Sequence, residues 1–240
     1  PHRISLCPKG APMPHSNVAM EADSESSVEP VESAVPEAVA ADVKHGVSNF
    51  PIVGIGASAG GLEAIEAFFD HMPVDSGMAF VLVQHLSPNF KSLMDELLAR
   101  HTDIPIHRVV NGMEVTPNGI YLIPPKKNMV LSGGNLLLTD QDTSGGLNLP
   151  IDILFRSMAR DAGKRCIAIV LSGTGSDGSR GLREVHDVGG MVVVQDVASA
   201  GFDGMPRNAM ATGLADVIAP PEEMPAETLQ YASSPEEFAR

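Results

Sequence analysis

The chain has 240 residues, 43% of them hydrophobic, which is enough for one substantial core. Its net charge of −14 argues against nucleic acid or an anionic membrane surface as the main partner. The two cysteines offer neither a disulfide framework nor metal-ligand spacing, and no apolar run is long enough to span a bilayer. We therefore expect a reduced, cytoplasmic protein that does not insert into the membrane.

Composition divides the chain into three parts. Residues 1–49 contain no aromatic residue and carry three basic against seven acidic side chains, which predicts a disordered acidic tail or linker. Residues 50–220 have the pattern of one catalytic domain. Residues 221–240 are predicted to form a C-terminal helix or linker.

From residue 50 onward, apolar strand-like runs alternate with amphipathic helices, a pattern typical of a parallel α/β sheet with both faces covered. The predicted strands are Ile52–Gly56, Ala79–Gln84, Cys166–Leu171, Met191–Gln195 and a short one near Asp216–Ile218. One predicted helix follows the first strand, and a second runs from about Ser87 to Arg100. Two more cover Ile151–Ala162 and Leu182–Val188, and a last one begins beyond Pro221. The stretch 106–140 instead predicts an antiparallel insert, with a hairpin closed at Gly133-Gly134.

A serine stands where the first strand is predicted to become a helix, in the sequence Gly56-Ala57-Ser58-Ala59-Gly60. Glycines on both sides permit a tight turn that leaves the hydroxyl uncovered, as in a nucleophile elbow. The following helix directs its first N–H groups toward an oxyanion formed there. Ser58 is therefore a candidate nucleophile, with an ordinary polar turn residue as the alternative.

The carboxyl ends of the other parallel strands supply the partners that acyl transfer needs, namely a base and an orienting carboxylate. The second strand ends beside His85, and the later strands lead to Asp177 and Asp196. Either aspartate satisfies this pattern. The order Ser…Asp…His of the α/β-hydrolases would require His186, which is predicted inside a helix and away from this edge.

A second motif overlaps the same turn. Gly54–Ala59 satisfies the looser dinucleotide-binding fingerprint, which expects an acidic residue at the end of the second strand. That strand ends in Gln84 and His85, so nicotinamide binding is disfavoured. A phosphate-bearing ligand at the glycine loop stays open.

Five separated segments, in the same order along the chain, resemble the catalytic domain of the CheB-type protein-glutamate methylesterases of bacterial chemotaxis. They are Val53–Ile65, Gln84-His85, Pro150–Ser157, Leu171–Gly178 and Gly204–Arg207. The resemblance implies Ser58 as nucleophile, His85 as base and Asp177 as the third member of the triad. It also implies candidate residues for the oxyanion and substrate loops, namely Ala59, Thr174, Gly175 and Met205.

The resemblance implies a doubly wound, mostly parallel sheet with helices on both faces and a small antiparallel piece. The implied reaction is hydrolysis of glutamate methyl esters on the cytoplasmic helices of chemoreceptors, often with deamidation of receptor glutamines, and it requires no metal or cofactor. Two alternatives remain: a non-catalytic receptor-docking module, and a nucleotide- or phosphate-binding α/β domain.

The chain departs from the family pattern in three places. Ala59 stands where members commonly carry Thr, and Thr174 where they carry Met. The tail over residues 1–49 is too short and too polar for the phosphoacceptor receiver domain that typical members carry. The segment from Pro220 to Glu227 resembles the junction to a receptor methyltransferase domain, so we expect a domain of such a hybrid, with a fused or separate methyltransferase as partner.

Overall fold

The computed structural model describes residues 49–84, 93–141 and 147–233. Its strands are β1 (Ile52–Ala57), β2 (Ala79–Gln84), β3 (Ile106–Arg108), β4 (Met113–Glu114), β5 (Gly119–Leu122), β6 (Lys127–Ser132), β7 (Asn135–Asp140), β8 (Cys166–Val170), β9 (Met191–Gln195) and β10 (Val217–Ala219). Its helices are α1 (Gly61–Phe69), α2 (Met94–Leu98), α3 (Pro150–Ala162), α4 (Gly181–Asp187), α5 (Gly204–Met210) and α6 (Met224–Ser233).

Seven strands form one parallel sheet in the order β10-β9-β8-β1-β2-β5-β3, and β4, β7 and β6 form a small antiparallel sheet. The chain first builds the sheet outward from β1 through β2, then returns to add β8 on the other side of β1. Strand order therefore reverses between β1 and β8. In open parallel sheets a crevice for ligands lies at such a point, outside the carboxyl ends of the strands.

Successive side chains of the central strands point to opposite faces, so each strand contributes to two hydrophobic cores. On β1, Ile52 joins the core beneath α3, α4 and α5, whereas Val53 and Ile55 join the core beneath α1, α2 and α6. Helices thus cover both faces, as predicted for a doubly wound sheet.

Helix α3 packs unusually close to β1 because the strand presents glycines on that face. A Cβ at Gly54 would lie 2.6 Å from Met158 Sδ, and one at Gly56 would overlap Ile151 Cγ2. The two bare positions let α3 lie directly on the strand from Ile151, in its first turn, to Met158. This packing brings the N-terminus of α3 to the edge of the sheet where β1 ends.

Most predicted elements are confirmed, including the exact bounds of β2 and β9 and the hairpin closed at Gly133-Gly134. The stretch 106–140 is only partly an antiparallel insert, because β3 and β5 join the main sheet in parallel. Helix α5 was not predicted. The predicted start of the helix near Ser87 lies outside the described residues.

Within the described ranges, no helix is long and apolar enough to cross a membrane.

Candidate active site

Ser58 is the first residue after β1, and it is half-buried. Its N–H donates to the Ser172 carbonyl at 3.0 Å, and its own carbonyl accepts from the Gly61 N–H at 3.0 Å. Between them Gly60 has a φ of 65°, the left-handed region that favours glycine, and α1 begins at the next residue. The predicted strand, turn and helix around Ser58 are therefore present.

Ser172, just beyond β8, is fully buried and holds this turn to the rest of the sheet edge. Its hydroxyl donates to the Ala59 carbonyl at 2.9 Å and accepts from the Phe202 N–H at 2.9 Å. Its N–H donates to Gln195 Oε1, at the end of β9, at 2.7 Å. One residue thus joins the turn after β1, the end of β9 and the segment that leads to α5.

We expect Ser172→Ala to lower the free energy of unfolding by about 2 kcal/mol, because the partly buried Ala59 carbonyl and Phe202 N–H both lose their bonds to this hydroxyl. Urea unfolding measures the loss. Ser76→Ala is the matched control, since its hydroxyl accepts a single 3.3 Å bond from the Met78 N–H at the opposite edge of the sheet. Equal losses in the two variants would contradict the role given to Ser172.

Gly173 forms the wall of the site that faces Ser58. A Cβ at Gly173 would lie 2.8 Å from Ser58 Cβ and would overlap Met205 Sδ. The Gly173 carbonyl accepts from the Met205 N–H at 2.8 Å, so the Thr174 N–H, trans to that carbonyl, points away from α5. Thr174 and Gly175 are exposed, whereas Met205 is fully buried beneath the loop. The loop therefore passes close to Ser58 at Gly173 and is anchored to α5 through the Gly173 carbonyl.

Asn208 on α5 holds the far end of this loop. Its side-chain amide donates to the Gly175 carbonyl at 2.8 Å and to the Gly204 carbonyl at 2.9 Å. Sequence reasoning did not include Asn208, because α5 itself was not predicted.

We expect Gly173→Ala to slow reaction of Ser58 with a fluorophosphonate about a hundredfold, because the new methyl group displaces the nucleophile or the loop. Gly201→Ala should retain the wild-type rate, since a Cβ there meets only ordinary contacts, the nearest at 3.8 Å. Labelling rates measured by mass spectrometry compare the two. A Gly173→Ala protein that labels at the wild-type rate would show that the site accommodates a methyl group at residue 173.

The carboxylate of Asp177 is buried at the N-terminus of α3. Its Oδ2 accepts from the Ile151 N–H at 3.0 Å, and its Oδ1 accepts from the N–H groups of Asp152 at 3.0 Å and Gly178 at 2.8 Å. These three N–H donors hold the carboxylate in one orientation at the carboxyl edge of the sheet.

Asp152, in the first turn of α3, makes a similar hydrogen bond to the start of α4. Its Oδ1 accepts from the Gly181 N–H, at the start of α4, at 2.7 Å. The side chain is 2% exposed, and its Oδ2 has no hydrogen-bond partner within the described parts of the chain. Burial raises the pKa of Asp152, and the negative charge of Asp177 adds to the increase. Sequence reasoning gave Asp152 no role.

Because the pKa of Asp152 is raised, the folded protein binds the carboxyl proton of this residue more tightly than the unfolded chain does. The stability that this proton contributes is therefore lost as pH rises through the raised pKa. Asn keeps an acceptor for Gly181 and never ionises. We expect Asp152→Asn to gain stability relative to wild type between about pH 4 and about pH 7, as measured by urea unfolding.

Asp152→Ala provides the contrast, because it leaves the Gly181 N–H unpaired and should be less stable than the Asn variant at both pH values. A stability difference between Asp152→Asn and wild type that stays constant with pH would contradict the assignment.

The remaining candidates take different positions. His85 lies outside the described residues. Asp196 lies at the end of β9, two strands away from β1. His186 is in the last turn of α4, toward the amino ends of the strands. Burial raises the pKa of the Cys166 thiol to about 12, so this residue is not a competing nucleophile at neutral pH.

No group of three or more His, Cys, Asp or Glu side chains placed to hold a metal ion occurs among the residues that the structure describes.

Residues 53–228 match the family model described as CheB methylesterase, which covers most of the chain. The chain belongs to the CheB methylesterase family. This membership agrees with the architecture: the crystal structure of the Thermotoga maritima CheB methylesterase catalytic domain superposes with a TM-score of 0.69 at 26% identity. The match covers 75% of this chain and 98% of that one.

Curated relatives in the family are named protein-glutamate methylesterase/protein-glutamine glutaminase. One from Photorhabdus laumondii is 35% identical over 176 residues, 72% of this chain and 50% of the relative. An uncharacterised 104.1 kDa protein of Rhodobacter capsulatus is 50% identical over 123 residues, 51% of this chain but 13% of the relative. The chain thus spans about half the length of the named CheB relative, and a small part of the larger protein.

Proposed function

We propose that residues 50–220 form a serine esterase that hydrolyses methyl esters of glutamate side chains on the cytoplasmic helices of chemoreceptors, in chemotaxis-type signalling. The proposal rests mainly on the position of Ser58, which follows β1 at the point where the strand order reverses. Gly173 lies directly against Ser58, and the N–H of the next residue, Thr174, points away from α5. Family membership supplies the substrate class.

In the proposed reaction, Ser58 Oγ attacks the γ-carbonyl carbon of the ester while His85 takes the hydroxyl proton. The N–H of Thr174 is the donor proposed for the oxyanion. Collapse of the tetrahedral intermediate breaks the bond to the methoxy group, which leaves as methanol with the proton from His85. Water then attacks the acyl-enzyme by the same route, returning the glutamate carboxylate and the Ser58 hydroxyl. No metal or cofactor enters the scheme.

The sheet register supports His85 as the base. Gln84 pairs with Ala57, the residue that precedes Ser58. Residue 85 directly follows Gln84, and consecutive Cα atoms are about 3.8 Å apart. Asp177 is proposed as the carboxylate that orients the imidazole, because it is fixed by three N–H groups at the same edge of the sheet.

Glutamine side chains are a proposed second substrate. An amide carbonyl passes through the same acyl-enzyme, with ammonia as the leaving group in place of methanol. The names of the curated relatives join these two activities. A fused or separate receptor methyltransferase stays a prediction.

A fluorophosphonate trap, followed by peptide mass spectrometry, tests the nucleophile. We expect a single adduct on Ser58 and none in Ser58→Ala. Methanol release from a methylated chemoreceptor fragment should fall about 10⁶-fold in that variant, as in related triads that lose the serine. Ser76→Ala, at the opposite edge of the sheet, should label and turn over like wild type.

An unlabelled wild-type protein that still binds the receptor fragment would favour the alternative, a non-catalytic docking module. A folded Ser58→Ala protein that releases methanol at the full rate would refute the nucleophile. Circular dichroism confirms that each variant keeps the fold.

A further inference from the structure

Phe202 places an aromatic ring directly on the turn that carries Ser58. The residue lies between β9 and α5, and it is 49% exposed although it is one of the largest apolar side chains. A Cβ at Gly60 would lie 3.0 Å from Phe202 Cδ2, so one edge of the ring rests on that glycine. The other side of the ring is open to solvent.

The backbone of Phe202 is fixed at both of its polar groups. Its N–H donates to Ser172 Oγ at 2.9 Å, and its carbonyl accepts from the Gly173 N–H at 2.9 Å. Ser172 also holds the nucleophile turn, and Gly173 forms the wall of the site. The backbone of Phe202 is therefore fixed beside the turn that carries Ser58, and one edge of its ring contacts Gly60 in that turn.

Exposed apolar residues are common on protein surfaces, so exposure alone indicates nothing. Ile218 on β10 is equally exposed, at 48%, but lies on the edge strand, three strands away from β1. Phe202 differs because it adjoins the nucleophile. Aromatic side chains offer a large apolar contact area and are enriched at the centres of protein interfaces.

We propose that Phe202 contacts the protein substrate, packing against an apolar side chain that lies one helical turn away from the methylated glutamate. This inference rests on the proposed esterase function. For attack, the ester carbonyl must come within about 3.5 Å of Ser58 Oγ. A helix that carries the ester then presents its next turn about 5.4 Å further along its axis. Phe202 would thus favour esters carried on a helix over small esters.

Two reactions of the same protein separate this role from support of the Ser58 turn. With a methylated chemoreceptor fragment, Phe202→Ala should raise KM about tenfold while kcat changes little. The rate at which a small fluorophosphonate labels Ser58 should stay at the wild-type value. Phe202→Leu keeps much of the apolar surface and should recover part of the KM. Ile218→Ala, matched in exposure, should change neither reaction.

A binding measurement keeps the inference testable apart from catalysis. In the Ser58→Ala background, we expect Phe202→Ala to weaken binding of the same fragment about tenfold, as measured by fluorescence anisotropy. If wild-type protein releases no methanol, the proposed function fails, while this comparison still decides the role of Phe202. Unchanged binding would overturn the proposed contact. Parallel loss of fluorophosphonate labelling and fragment turnover would instead show that Phe202 only supports the turn.

Discussion

The geometry of the site depends on a single buried serine that is not the nucleophile. Ser172 uses its N–H, carbonyl and hydroxyl to hold Gln195, Ser58, Ala59 and Phe202 in one network of hydrogen bonds. Loops at a sheet edge are ordinarily the most mobile part of an α/β fold. Here the turn after β1 and the segment before α5 share a buried partner at the end of β8, so they are fixed to the sheet and to each other.

A second constraint comes from helix termini. Asp177 precedes α4 and accepts the first N–H groups of α3, while Asp152 in α3 accepts the first N–H of α4. The loop before α4 thus caps α3, and α3 in turn supplies an acceptor for the first N–H of α4. Burial is the main reason that the pKa of Asp152 is raised, and the nearby carboxylate of Asp177 adds to the increase.

The sequence predicts those parts of the molecule whose signal is local. The strand before Ser58 is apolar on both faces, and glycines mark the turn, so β1, α1 and their junction follow from neighbouring residues. Ser172 and Asp152 act on partners at least 23 positions away, and no local pattern reports such pairings. Helix α5 carries Gly, Pro and Asn within seven residues, a composition with weak helix propensity, and packing of Met205 and Ala209 in the core compensates.

The two single-residue departures from the family pattern, Ala59 and Thr174, fall where the site uses backbone rather than side chains. Ala59 contributes its carbonyl to Ser172, and that contact is indifferent to the missing hydroxyl. At Thr174 the proposed contribution is an N–H, whose direction is set by the Gly173 carbonyl bonded to Met205. A change of side chain at residue 59 or 174 therefore leaves the Ala59 carbonyl and the Thr174 N–H in place. Gly173 has no such freedom, because its α-carbon lies between Ser58 and Met205 and leaves no room for a methyl group.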